Sequence, residues 1–306
     1  MKAPAAAVLP TRDGVGPSCV ALVAGPWATI TDFLLQRFPA QPRELWLRRM
    51  AAGEVIDEWG VPVTEQRPFQ SPLRLYYYRH VPHEARIPFD YELLYQDAHL
   101  VVIDKPHFLP VVPSGDYLQE TALVRLKRQL AIDTLVPVHR IDRDTAGLVL
   151  FSTQPDTRNH YQALFREHRI RKSYLAVAPW RADLQLPLLH SSRIAASSHF
   201  MQQCEVAGPP NSSTHITLLQ RANGLGLYSL QPVTGHRHQL RVHMAGLGIP
   251  IAHDGIYPVL TAKGSTDTTR PLQLLAETLE FTDPVNGEAR HFSSLRTLAL
   301  ASCFSK

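Results

Sequence analysis

The chain has 306 residues, 44% hydrophobic and 19% charged, a globular composition that excludes a disordered or fibrous protein and suits one large domain with a smaller companion. Lys and Arg number 31 against 27 Asp and Glu, a formal charge of +4 that permits an anionic partner without demanding one, so clustering of cations matters more than the total. Cys19, Cys204 and Cys303 lie too far apart for a disulfide framework or a zinc ribbon. No apolar run approaches the roughly 20 residues of a membrane span, so a soluble, cytoplasmic protein is expected.

From the N-terminus, the stretch to about Pro26 is rich in Ala, Pro and Gly without a sustained period and reads as a tail or irregular cover. Thr31 to Phe38 carries Phe33, Leu34 and Phe38 at helical spacing, and a second helix is expected over Arg43 to Ala52, stopped by Gly53. Glu54 to Thr64 reads as two short strands about Trp59 and Gly60, and Leu73 to Arg79 as another. Pro82 and Pro88 bracket a charged connector, which sets a boundary between an accessory region at 1–86 and a larger domain at 87–306. In the latter, His99 to Asp104 is a predicted buried strand ended by Lys105 and Pro106. Gln119 to Leu130 is a predicted amphipathic helix with Arg125, Lys127 and Arg128 outward. Leu148 to Phe151 follows as a strand, Asp156 to Arg169 as a helix and Tyr174 to Ala178 as a returning strand.

The segment Val138 to Phe151 (VHRIDRDTAGLVLF) sets His139, Arg140, Asp142, Arg143 and Asp144 directly against an apolar strand. In a plain turn, one Asp would cap and the arginines would be solvated. Read as chemistry, a carboxylate among cations stays ionised and available for nucleophilic or acid/base work, and the residues alone leave Asp142 and Asp144 both open. Pro232 to Met244 (PVTGHRHQLRVHM) is either a basic turn entering a helix or, through its histidines, a metal site, although it lacks an accompanying carboxylate or thiolate at a recognised spacing. Tyr174, after Lys172, reads from the residues alone as a half-buried strand residue beside a solvated Lys.

In this order the segments resemble the RluA-type RNA pseudouridine synthases. The Asp142 segment is similar to the signature His-Arg-Leu-Asp-x-x-Thr-Ser-Gly-Leu-Leu-Leu, with Ile141 and Val149 for Leu and Ala146 for Ser. Lys172 to Tyr174 is similar to the family's Lys-x-Tyr, and Thr234 to His243 to its Thr-Gly-Arg-x-His-Gln-Leu-Arg-x-His, with His236 for the first Arg. Gly248 to Tyr257 resembles Gly-x-Pro-Ile-x-x-Asp-x-x-Tyr, and Leu94 to Pro106 resembles the first motif, with His107, Phe108 and Leu109 replacing its small residue and Gly.

The resemblance implies an α/β (α+β) fold with a mixed, largely antiparallel central sheet, flanking helices and a long catalytic cleft. It implies isomerisation of uridine in ribosomal or transfer RNA, with Asp142 as catalytic carboxylate, Arg241 paired with it, and Tyr174 packed on the uracil and handling the proton on carbon 5. His139, Arg140, Thr145, Lys172, Leu240 and His238 are the expected substrate-binding positions. No cofactor and no metal are expected, and the family's usual form is a monomer. Basic residues at Arg166 to Lys172 and Arg125 to Arg128 are expected to meet phosphates. The accessory region resembles a small RNA-binding domain, with Arg43, Arg48 and Arg49 on its second helix, or serves as a scaffold extension over a sheet edge. Two rival functions are a catalytically inactive RNA-binding protein of this fold and a metal-dependent hydrolase built on His139, Asp142, His236 and His238.

Overall fold

A computed structural model describes residues 10–81, 83–261 and 267–304, so Pro82 and residues 1–9 of the predicted tail lie outside the described set. The chain divides into two units, Met1–Glu84 with Pro113–Gln119, and Ala85–Val112 with Glu120–Lys306.

The first unit holds β1 (Ser18–Leu22), α1 (Ile30–Arg37), α2 (Arg43–Ala51), β2 (Val55–Asp57) and β3 (Leu73–Tyr77), with the antiparallel strands ordered β1-β3-β2. Thr29 starts α1 by a capping box: its hydroxyl accepts from the Asp32 N–H while the Asp32 carboxylate accepts from the Thr29 N–H. Fully buried Trp46, Leu34 and Leu75 centre the core.

Three expectations need correction here. The stretch before Pro26 includes a real strand, because Val20 and Leu22 alternate inward while β1 pairs with β3 more than fifty residues later, a pairing that no local period reveals. The hairpin about Trp59 has one full strand, its second arm pairing with β2 only through an Ile56–Pro62 bridge, and in the turn Asp57 Oδ1 accepts from the N–H groups of Trp59 and Val61 at 2.9 and 2.8 Å. Arg49, one of the three cations set on the second helix of an RNA-binding unit, is buried, with its guanidinium 5.2 Å from the Trp46 ring centre.

The second unit is one 11-stranded sheet. Its elements are β4 (Glu92–Gln96), β5 (Leu100–Lys105), α3 (Ala122–Leu130), β6 (Val136–Pro137), β7 (Ala146–Ser152), α4 (Pro155–Arg166), β8 (Arg171–Pro179), β9 (Leu188–Ala196), β10 (Gln203–Val206), β11 (Ser212–Ala222), β12 (Leu225–Pro232), α5 (Gln239–Gly246), β13 (Leu274–Thr282) and β14 (Ala289–Ser293). The strand order is β10-β9-β11-β12-β8-β13-β7-β5-β4, with β14 beside β13 and β6 beside β7. Among the described residues only β13 and β7 run parallel, so the mixed, largely antiparallel α+β architecture is as expected.

Every residue of β5 and β7 is buried, which explains their unbroken apolar runs. Tyr161 and Leu164 of α4 close over Leu100, Val102, Leu148 and Leu150, each fully buried side chain contributing about 1.5–3 kcal/mol. Helix α3 is less outward than its charges suggested. Arg125 braces the strand entry by donating to the carbonyls of Ile87 and Phe89 and pairing with Glu120, so it serves as a structural strut.

Candidate active site

Asp142 lies in the turn between β6 and β7. The Thr145 N–H donates to the Asp142 carbonyl at 3.2 Å, closing a four-residue turn immediately before the buried strand begins. From β5, the fully buried Lys105 donates through Nζ to the Arg143 carbonyl at 3.1 Å and to that of Pro106 at 2.8 Å. Its burial pulls its pKa down to about 7, against the raising effect of Asp144 and Asp142 nearby. The turn is therefore fixed at both ends while the Asp142 side chain stays 29% exposed, reachable by substrate.

Helix α5 supplies the counter-charge. Its first residue, Gln239, is buried and fully engaged: Oε1 accepts from the Thr234 hydroxyl and the His236 N–H, and Nε2 donates to the Ser213 carbonyl and the Thr214 hydroxyl. That grip fixes the rotation of the helix, and with it Arg241. Arg241 Nη1 donates to Asp142 Oδ2 at 3.0 Å, while Nε and Nη2 form a two-point contact with Asp254 at 2.8 and 2.6 Å. Asp254 is itself fully buried and accepts from the N–H groups of Ile256 and Tyr257 through Oδ1. The two carboxylates hold the Arg241 guanidinium charged, above its ordinary pKa, against a large opposing effect of burial.

Tyr174 of β8 packs on the cluster containing Leu240, Met244, Ile249 and Ile251. Burial, helped by the charge of Asp142, raises its phenol pKa, so the ring stands beside the carboxylate as a neutral hydroxyl-bearing face. His238 precedes α5 with φ +57°, in the left-handed region. Its Nδ1 lies 3.0 Å from the Tyr257 hydroxyl and its Nε2 lies 3.8 Å from Asp142 Oδ1.

The structure thus gathers Asp142, Arg241, His238, Tyr174 and Leu240 with Asp254 and Tyr257. Sequence reasoning assigned no role to those last two, although both stand in the matched Gly248 to Tyr257 segment. The other expected binding positions lie elsewhere in the local scaffold. His139 Nε2 accepts from the Leu150 N–H at 3.2 Å, and its ring stacks on Phe165 at 4.4 Å. Thr145 is buried in the turn, and Lys172 Nζ donates to the Thr234 carbonyl at 3.1 Å, burial lowering its pKa to about 8. Arg140 is exposed.

The histidines do not compose a metal centre of the kind entertained from sequence. His139 is spent on a backbone N–H, and His236 Nε2 donates to the Asn211 carbonyl at 2.8 Å. A separate trio, His190, Glu205 and His243, brings three ligand-type atoms within 4.8 Å of one another. His243 is held by hydroxyls on both sides, Nε2 lying 3.0 Å from that of Ser212 and 3.2 Å from that of Ser192, and Nδ1 2.9 Å from that of Thr214. Among the described residues no helix is long and apolar enough to cross a membrane.

Residues 99–246 match the family described as RNA pseudouridylate synthase, a span that holds Asp142, Tyr174, His238 and Arg241. The chain is 33% identical over 237 residues to an uncharacterized RNA pseudouridine synthase of Synechocystis, covering 74% of this chain and 78% of that one. It is 31% identical over 210 residues to the dual-specificity RNA pseudouridine synthase RluA of Pasteurella multocida, covering 66% of this chain and 92% of the relative. The fold is similar to that of human RNA pseudouridylate synthase domain containing 1, with a TM-score of 0.58 at 20% identity over 71% of this chain and 88% of that one.

Proposed function

The chain belongs to the RluA-type family of RNA pseudouridine synthases, isomerases that act on RNA, and from that premise we propose that Asp142 is its catalytic carboxylate. What supports the assignment is the position of Asp142 at the open end of a buried Asp254–Arg241 pair. One carboxylate oxygen is held by Nη1 and the residue remains partly exposed.

A uridine extruded from the RNA meets Asp142, which attacks ribose carbon 1′ or takes the proton from carbon 2′. The freed uracil turns between Tyr174 and Leu240 and rejoins the ribose through carbon 5, which then loses its proton. A detached base must be enclosed to prevent its escape, and the apolar cluster beneath Tyr174 suits that need. His238 lines the pocket beside Asp142, and Lys172, Thr145, His139 and Arg140 shape or flank it. The reaction draws on no cofactor and no metal.

The substrate in this reading is a folded ribosomal or transfer RNA, in keeping with similarity to a relative named for dual specificity. Exposed Arg166, Arg169 and Arg171 supply phosphate contacts that fix register, and shape with the flipped base supplies selection. The protein works as a cytoplasmic monomer, and the unit before residue 85 serves as an accessory RNA-binding or scaffold region.

The test is tritium release from RNA labelled at carbon 5 of uridine, drawn from cells lacking this protein. Release by the wild type and none by Asp142→Asn is expected, and mapping the product then identifies the RNA and the uridine. Equal release by both proteins would remove Asp142 from the chemistry.

A further inference from the structure

Asp142 has two oxygens in different company. Oδ2 takes the Arg241 hydrogen bond at 3.0 Å, and Oδ1 faces the Nε2 atom of His238 at 3.8 Å, beyond hydrogen-bond distance. Whether Oδ1 meets a hydrogen or a lone pair depends on the imidazole tautomer, and the surrounding hydrogen bonds decide it. The Gln203 N–H donates to the Tyr257 hydroxyl oxygen at 2.7 Å, and that hydroxyl lies 3.0 Å from His238 Nδ1. Tyr257 is buried, so its own hydrogen needs an acceptor, and Nδ1 is the acceptor that these contacts provide. Nδ1 then carries the lone pair and Nε2 carries the hydrogen.

We propose that Tyr257 locks His238 as the Nε2–H tautomer, making His238 a positioning residue that keeps a neutral hydrogen-bond donor aimed at Asp142 Oδ1. This rests on the reading of Asp142 as the catalytic carboxylate. Burial supports the neutral form of the ring, lowering the His238 pKa against the opposing pull of Asp142. Arg241 binds one oxygen with full charge and from a fixed direction, whereas His238 faces the other across a gap that closes with a small rotation of the carboxyl. The pairing sets the plane of the carboxylate without transferring a proton to it. With the other tautomer, the Nε2 lone pair would face the anion and turn Oδ1 away.

The prediction separates hydrogen placement from mere packing. In a His→Gln replacement the amide nitrogen falls near the place of Nε2, and in His→Asn near that of Nδ1. His238→Gln is expected to keep most of the tritium-release kcat, while His238→Asn and Tyr257→Phe lose about ten- to hundredfold, the range for one hydrogen bond to a charged group, with KM for the RNA little changed. The backbone argues the opposite ranking, since Asn tolerates the left-handed φ of His238 better than Gln does. A purely structural role would therefore favour Asn. Histidine ¹⁵N spectra of the full chain, with the His238 signal identified by its loss in His238→Gln, should show a protonated Nε2 in the wild type and a change of tautomer in Tyr257→Phe. Wild-type kcat in Tyr257→Phe, or a protonated Nδ1 in the wild type, would overturn the proposal. Full activity in Asp142→Asn would instead remove the reading it rests on, an outcome that the His238 variants by themselves do not produce.

Discussion

Arg241 grips Asp254 through Nε and Nη2 and has only Nη1 left for Asp142. The division of labour places a buried ion pair behind a partly exposed one. Asp254 and Arg241 are both nearly or fully buried, so removing one charge strands the other in a poor solvent, at a cost of about 3–5 kcal/mol. Asp254→Asn should therefore lower stability by about that amount in urea unfolding and also reduce tritium-release kcat, because a swinging guanidinium no longer fixes Asp142. Asp142→Asn lies at the exposed end and should abolish turnover with a much smaller change in stability. Equal destabilisation by the two variants would show that the network is not layered in this way.

Gly147 sits where β7 meets β13 in parallel register, its Cα opposite Ala276. Its φ is +109°, and an added Cβ would lie 2.2 Å from the Ala276 carbonyl oxygen, a backbone atom that has nowhere to retreat in a central strand. Gly147→Ala should thus cost several kcal/mol, well beyond the roughly 1 kcal/mol of an ordinary strand substitution, and should appear as poor recovery of folded protein or a large fall in Tm. A Tm within a few degrees of wild type would mean that β13 yields more easily than its burial indicates.

How much of this was legible in the sequence follows from how local each interaction is. The buried runs of β5 and β7, the helix α4 and the dense segments around Asp142 and Arg241 carry their signal within a dozen residues. The Arg241–Asp254 grip, the Lys105 contact to the Arg143 carbonyl and the β1–β3 pairing join residues 13, 38 and more than fifty positions apart, and no period marks them. Polarity also misleads where a buried backbone group needs a partner. His139 reads as a binding residue beside Asp142, yet its ring nitrogen serves the Leu150 N–H. Arg125 reads as an outward cation, yet it satisfies carbonyls at the entry to β4.

Buried histidines predict sensitivity to acid. Burial lowers the pKa of His139 to about 3 and that of His243 to about 4, against an unfolded value near 6.5. Below about pH 6.5 the unfolded chain takes protons that the folded chain refuses, so stability is complete above that pH and declines as the pH falls toward 4. His139→Phe keeps an aromatic ring against Phe165 and removes one titrating group, while leaving the Leu150 N–H without its acceptor. It should be less stable than wild type at pH 7 by about 1–3 kcal/mol and should lose less on acidification to pH 4.5. Denaturant curves at the two pH values measure both effects, and parallel losses in the two proteins would contradict the assignment.

Lys105 predicts a dependence of the same sign at alkaline pH. Its folded pKa of about 7 lies below an unfolded value near 10.4, chiefly because the ammonium is buried. Below about 7 both states carry the charge and the desolvation cost is complete. Between about 7 and 10.4 the folded state sheds the proton that the unfolded state keeps, so stability climbs with pH by up to about 5 kcal/mol from this group. Lys105→Met removes that climb, and the comparison with wild type isolates it from Lys172, whose lowered pKa contributes to both proteins alike. The substitution also removes the Lys105 donor from the Arg143 carbonyl, the inner anchor of the turn that carries Asp142. Stability at pH 7 and activity should therefore part company: the variant is expected to hold most of its stability, since an apolar chain replaces a buried cation, while kcat falls about tenfold from a less fixed carboxylate. Urea unfolding at pH 7 and 9.5, read beside tritium release at pH 7, checks both halves. A variant with wild-type kcat would show that β5 does not position Asp142 through Lys105.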